Sequence, residues 1–139
     1  ILNKPGRLTT EERVIMDTHA ELGYEMLKHS NRFVLKTAAI IALEHHERWD
    51  GTGYPYGLSG TDIPFGGRIV AICDVYDALR SPRPYKPPFD HEKTISILRH
   101  GDGRTKPEHF DPELLRLFLT NEQLFENIYR QDISIFDPN

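Results

Sequence analysis

The chain has 139 residues, one domain's worth by length, and its 38% hydrophobic and 27% charged residues exclude a disordered or low-complexity protein. Lys and Arg number 17 against 21 Asp and Glu, a formal charge of −4, which argues against binding to polymeric nucleic acid but leaves room for a small nucleotide held by a few local cations and a metal. A single cysteine, Cys73, rules out an intrachain disulfide and fits a reducing, cytoplasmic setting, and no apolar run approaches the roughly 20 residues that span a bilayer. The chain opens at Ile1 without an initiator Met and reads as a piece cut from something longer.

Lys4-Pro5-Gly6 is a turn signal. Thr9 and Glu12 then form a capping box, and Val14, Ile15, Leu22, Met26 and Leu27 recur at helical spacing, so a first helix is expected over about residues 10–28. Asn31 can cap a second helix, in which Phe33, Val34, Leu35 and residues 38–43 are apolar nearly all round; a helix with no polar face is normally buried. It runs into His45-His46-Glu47-Arg48-Trp49-Asp50 and stops at Gly51. Residues 51–64 hold four glycines and two prolines, a long irregular loop whose length marks it as functional. A third, mostly apolar helix is expected over about 66–80, then a Pro-punctuated loop at 81–88. Asp90 caps a short amphipathic helix at about 91–100, stopped by Gly101. Asp111-Pro112 starts one long or two shorter helices reaching about residue 130. No segment alternates with period two over strand length, so the fold class is all-α.

The polar residues set into apolar helices carry the chemistry. Asp74 lies in the middle of the third helix between Cys73 and Val75, and a buried carboxylate there needs a partner. The cheapest partner is a metal shared with histidine. Neighbouring helical residues point about 100° apart, so His45 and His46 are expected to serve two ions, or one ion and its surroundings, rather than to chelate one ion side by side. Histidines with carboxylates suit Fe, Mn, Ni or Zn better than Mg or Ca, and paired metals can clamp the oxygens of a phosphoryl transfer. His29, His91 and His100 read as surface or capping residues, and Cys73 as a small core residue. Taken alone, the His-His pair is equally well a helix C-terminal cation.

The run His45-His46-Glu47-Arg48-Trp49-Asp50-Gly51-Thr52-Gly53-Tyr54-Pro55 closely resembles the H-H-E-R-W-D-G-x-G-Y-P signature of the HD-GYP domain family. Residues 1–8 are similar to its I-L-x-K-P-G-x-L, and Thr18-His19 with Gly23 and Leu27 to its T-H-x-x-x-G-x-x-x-L. Ile63-Pro64, residues 68–79, Arg83-Pro84-Tyr85-Lys86 and His109-Phe110-Asp111-Pro112 resemble later blocks of the same family, so the likeness covers about residues 1–119. Residues 120–139 extend beyond it as a C-terminal helical extension.

The resemblance implies an all-helical domain of the HD superfamily, incomplete at its N-terminal side. It implies metal-dependent hydrolysis of the bacterial second messenger cyclic di-GMP to the linear dinucleotide and on to GMP. The centre implied is binuclear or trinuclear, of Fe or Mn. His19, His45, His46 and Asp74 fall on the family's metal-ligand positions, and Asp77 on a position that supports a lysine near the metals. Tyr54, Arg83 and Lys86 fall where the family contacts substrate, and Gly53, Tyr54 and Pro55 form the GYP loop. The name-giving His-Asp pair, the lysine after it and the helices that cover the second and third helices here lie upstream of the matching segment. The domain is therefore expected to act when whole, and the chain by itself to be inactive. The alternative is a catalytically inactive signalling module that binds nucleotide or a GGDEF-domain partner through the GYP loop. An upstream sensor domain is a further partner expectation, and a homodimer is compatible with it.

Overall fold

The computed structural model describes residues 1, 4–82 and 87–136, those after 131 by backbone alone. Among the described residues seven helices follow one another: α1 (Thr10–Asp17), α2 (His19–Leu27), α3 (Phe33–Glu44), α4 (Phe65–Arg80), α5 (His91–His100), α6 (Pro112–Thr120) and α7 (Glu122–Phe136). Single 3₁₀ turns stand at Gly60–Asp62 and Pro107–His109. Among the described residues the one β-type pairing is a bridge between Asp50 and Ser59, so the all-α reading holds.

Local chemistry sets the helix ends where the sequence indicated. Thr9 accepts from the Glu12 N–H while the Glu12 side chain accepts from Thr9 N–H, the reciprocal capping box. Asp90 caps α5 through Lys93 N–H, and Asp111 caps α6 through Glu113 and Leu114 N–H with Pro112 at the first position. Four boundaries differ from expectation: α3 ends at Glu44, before the 45–50 run, α7 continues past residue 130 to Phe136, and two more have local causes. The second helix starts after Arg32, which makes no side-chain cap bond, and not after Asn31. The helix expected over 10–28 breaks at Thr18. There the Thr18 hydroxyl donates to Ile15 O at 2.7 Å and His19 Nδ1 lies 2.7 Å from Met16 O, so side chains occupy the two carbonyls that would continue the helical ladder.

The core lies at the C-terminal side, where α4, α5 and α6 pack together. Ile72, Tyr76, Ile95, Leu98, Phe110, Leu115 and Phe118 are buried against one another, with Phe125 and Tyr129 of α7 packed on them. Each such fully buried side chain contributes about 1.5–3 kcal/mol. Arg80 is buried in this region and is paired with Glu126, which also accepts from Arg130 at 2.6 Å; Tyr129 O–H donates to Arg80 O at 2.7 Å. These bonds tie α7 to α4. His91, read as a surface or capping residue, is instead half-buried, with Nδ1 3.0 Å from the Tyr76 hydroxyl.

The N-terminal helices are far less covered. α3 packs on α2 and on α4, and it buries only the stripe of Ala39 and Leu43. Phe33, Val34 and Ile40 are exposed, contrary to the expectation that an apolar helix is buried all round. Composition reports what a helix can bury, whereas its neighbours decide which faces are covered. Two further expectations fail on α4. Cys73 and Asp74 are exposed, because its buried stripe runs through Gly67, Ala71, Ile72, Tyr76 and Leu79 and leaves 73 and 74 on another side.

Candidate metal centre

α2 and α3 approach closely because Gly23 presents no side chain: a Cβ there would stand 3.1 Å from Ala42 Cβ. One turn from Gly23, at the start of α2, sits His19; one turn beyond Ala42 sits His46. His19, His45 and His46 accordingly converge, with one ring nitrogen of each lying within 4.8 Å of the others. The rings of His45 and His46 are 3.9 Å apart between centroids. The expectation that neighbours on a helix diverge fails because α3 ends at Glu44: His45 is the C-cap and His46 lies outside the helix, where the 100° rotation no longer applies.

The free nitrogens are selected by the backbone. His45 Nδ1 lies 2.9 Å from Ala42 O and 3.1 Å from Ile41 O, and His19 Nδ1 lies 2.7 Å from Met16 O. Carbonyls accept only, so both Nδ1 atoms carry a proton, and the tautomer so fixed is the one that would turn Nε2 toward a ligated metal. His46 Nε2 stands 2.9 Å from His19 Nε2. Burial, then the neighbouring His45, His19, Arg13 and Arg48, push the His46 imidazole down to about 3, so it is neutral at physiological pH.

His45 and His46 line a cavity of about 120 Å³. Its lining includes His45, His46, Arg48 and Tyr54, Ala71 and Asp74 of α4, and Arg104, Thr105, His109 and Phe110 from the segment between α5 and α6. Asp74 thus faces the histidine cavity although its side chain is not enclosed by protein. The Tyr54 ring stacks on His46 with centroids 4.9 Å apart. Burial, followed by the charge of Asp17, pushes the Tyr54 phenol up to about 12, which keeps it a hydrogen-bond donor at neutral pH. A larger groove of about 760 Å³, walled by Trp49, Phe110, Leu115 and Leu119, contains none of the histidines.

A model of the HD domain matches residues 1–114 of the chain. The chain belongs to the HD domain family. Over 130 residues this HD domain is 46% identical to a cyclic di-GMP phosphodiesterase of Vibrio cholerae, covering 90% of this chain and 26% of that protein. It is 48% identical over 119 residues to a 3'3'-cGAMP-specific phosphodiesterase of the same organism, covering 86% of this chain and 22% of that one. A cyclic di-GMP phosphodiesterase of Thermotoga maritima is 43% identical over 132 residues, 95% of this chain and 35% of its own length. The HD domain chain therefore spans between a fifth and about a third of the length of these relatives.

HD domains are metal-dependent, and the donor set here fits a metal. Imidazole nitrogens would bind a transition metal at about 2.0–2.1 Å, and the close approach of His19 and His46 Nε2 is compatible with both reaching one ion. An Nδ1–H tied to a backbone carbonyl is how ligating histidines are oriented in metal sites. Asp77 is exposed on α4 one turn beyond Asp74, with its Oδ2 3.4 Å from the Ser81 hydroxyl. Arg83 and Lys86 lie outside the described residues. Among the described residues no helix is long and apolar enough to cross a membrane.

Three residues that hold this HD domain site together were not singled out from the sequence. Glu47, 2% exposed, accepts from Tyr56 N–H at 2.7 Å and Leu58 N–H at 2.9 Å, clamping the GYP loop to the end of α3. Arg68 donates to Ile63 O at 2.9 Å and to Asp111 at 2.7 Å, joining that loop to the start of α6. His109 is buried on the wall of the histidine cavity, and Trp49 N–H donates to its carbonyl at 2.8 Å. All three stood inside the recognised blocks, and only the fold shows what they touch. Gly53, in the loop itself, passes so close to the end of α3 that a Cβ would meet Arg48 N and His46 O and stand 2.6 Å from Glu47 Cα.

Proposed function

We propose that this chain contributes metal ligands and substrate contacts to a bacterial phosphodiesterase that hydrolyses cyclic di-GMP in second-messenger signalling. The observation that carries this reading is the convergence of three imidazoles, two with Nδ1 tied to carbonyls and the third kept neutral by burial, beside a carboxylate and a phenol. The names of the similar proteins supply the substrate class.

In this reading His19, His45, His46 and Asp74 hold an Fe or Mn centre. Such a centre supplies Lewis-acid polarisation of the phosphodiester and activates water near neutral pH. The chain's own groups do the rest. Tyr54, protonated and stacked on His46, donates a hydrogen bond to the bound nucleotide. Arg83 and Lys86 neutralise phosphate charge, which lets a chain of net charge −4 hold an anion through a local cationic focus. Asp77 orients a cationic group beside the metals.

The test is carried out in the full-length protein. Metal content is measured by plasma emission, and turnover of cyclic di-GMP by chromatography of the products. His45→Ala and Asp74→Ala are expected to lower metal content and to cut turnover by about 100-fold or more. Undiminished turnover in Asp74→Ala, or a metal-loaded wild type that leaves cyclic di-GMP intact, overturns the proposal.

A further inference from the structure

Among the described residues three arginines line the histidine cavity, and two of them are already engaged. Arg13 pairs with Asp17 at 2.8 Å, and Arg48 donates to the Thr52 hydroxyl at 3.5 Å. The third, Arg104, uses its backbone N–H, which donates to Asp102 at 3.0 Å, while its guanidinium has no hydrogen bond or ion pair among the described residues. Its position is nonetheless built. Asp102 also accepts from Thr105 N–H at 2.8 Å, and Asp102 N–H donates to Thr105 O at 3.1 Å, closing a tight turn. Gly101, at φ +83°, lets that turn close, since a Cβ there would stand 2.9 Å from Thr105 O. The turn thus places Arg104, exposed and without a side-chain partner among the described residues, and Thr105 beside it on a wall of the same cavity as His45, His46 and Asp74.

From this geometry we infer that Arg104 is a substrate-binding residue that holds an anionic oxygen pair of the cyclic dinucleotide, namely its second, non-reacting phosphate. The inference rests on the phosphodiesterase reading and extends it to a residue on the α5–α6 connection. The reacting phosphodiester belongs at the histidines. A cyclic dinucleotide carries one further phosphate, and the planar guanidinium fork matches its two oxygens in a charge-assisted pair. The contact acts on binding and does not enter the bond-breaking step.

The experiment compares Arg104→Ala and Arg104→Lys with Arg116→Ala, which removes the same charge outside the histidine cavity. Each is made in the full-length protein. Dissociation constants are measured by calorimetry for cyclic di-GMP and 3'3'-cGAMP, and kcat and KM for both and for bis(p-nitrophenyl) phosphate, which has one phosphodiester and no second phosphate. Arg104→Ala is expected to weaken binding and raise KM by about 10- to 50-fold for both dinucleotides, the worth of a charge-assisted contact. It should leave kcat and the bis(p-nitrophenyl) phosphate kinetics within about twofold, with partial recovery in Arg104→Lys and no change in Arg116→Ala. Unchanged dinucleotide binding, an effect confined to one base type, or an equal loss on bis(p-nitrophenyl) phosphate overturns the assignment. If the wild type binds dinucleotide without cleaving it, the hydrolytic reading fails while the binding ratio still decides Arg104. If it binds none, both fall.

Discussion

Glu47 offers the sharpest perturbation of the site, because one buried carboxylate secures the loop that carries Tyr54. Its two oxygens accept from Tyr56 N–H at 2.7 Å and Leu58 N–H at 2.9 Å, and the residue is 2% exposed. Hydrogen bonds to a charged group are worth about 1.5–3 kcal/mol each. Glu47→Gln keeps the shape but replaces one acceptor by an NH2 that faces an N–H donor, so about 2 kcal/mol should be lost. Glu47→Ala removes both acceptors and should cost about 3–5 kcal/mol, less whatever water recovers once the loop lifts. At this chain length 1 kcal/mol corresponds to about 3–4 °C in Tm, so Glu47→Gln should melt about 6–8 °C below wild type. Hydrogen exchange locates the effect: the Tyr56 and Leu58 amides should lose protection while the amides of α5 and α6 keep theirs. Retained protection at those two amides in Glu47→Ala would refute the clamp, whatever happens to Tm.

Three further outcomes follow from the same structure. Gly53→Ala forces a Cβ against the backbone of Glu47 and Arg48, so it should displace the Tyr54 loop and lower cyclic di-GMP turnover about tenfold or more while metal content stays within error of wild type; full activity would show that the loop tolerates the shift. Glu126→Gln leaves Arg80 buried without its anion and should cost about 3 kcal/mol or more at neutral pH, read as a shift in urea midpoint. Burial raises the Glu126 carboxyl, but hydrogen bonds from Arg80 and Arg130 outweigh it and hold the group below its usual value of 4.5. Its contribution is therefore present in full above that value and is lost as pH falls through the lowered one, so wild type and Glu126→Gln should converge in stability under acid, and a constant gap would contradict the linkage.

Much of the fold was legible because helix ends are local events. The Thr9–Glu12 box, the Asp90 cap and the Asp111-Pro112 start each involve residues within one turn, and each appears as the sequence spells it. The break at Thr18 was not legible. A Thr hydroxyl and a His Nδ1 compete for the carbonyls of Ile15 and Met16, and such competition only slightly destabilises a continuous helix, so no residue type announces it. That break nevertheless decides where His19 sits. The exposure of Asp74 and of the Phe33–Val34 end of α3 was hidden for a different reason. Local composition measures what a segment could bury, and only its neighbours determine what it does bury.

By itself the sequence determined the all-α class, the helix starts, the ordered blocks that resemble the HD-GYP family, and hence the histidines as candidate ligands. These depend on short-range chemistry or on residue identity at set spacing. The tertiary structure alone decided that His19 meets His46 across the Gly23–Ala42 contact, that the end of α3 at Glu44 brings two adjacent histidines together, and that Glu47 clamps a loop nine and eleven residues further on. It also decided that Arg104, from a turn that no motif singled out, lines the same cavity. The His19–His46 approach and the place of Arg104 are meetings of residues far apart along the chain, which follow from how helices pack; the other two depend on where a helix ends and how a loop folds back, which the pattern within one helix does not set.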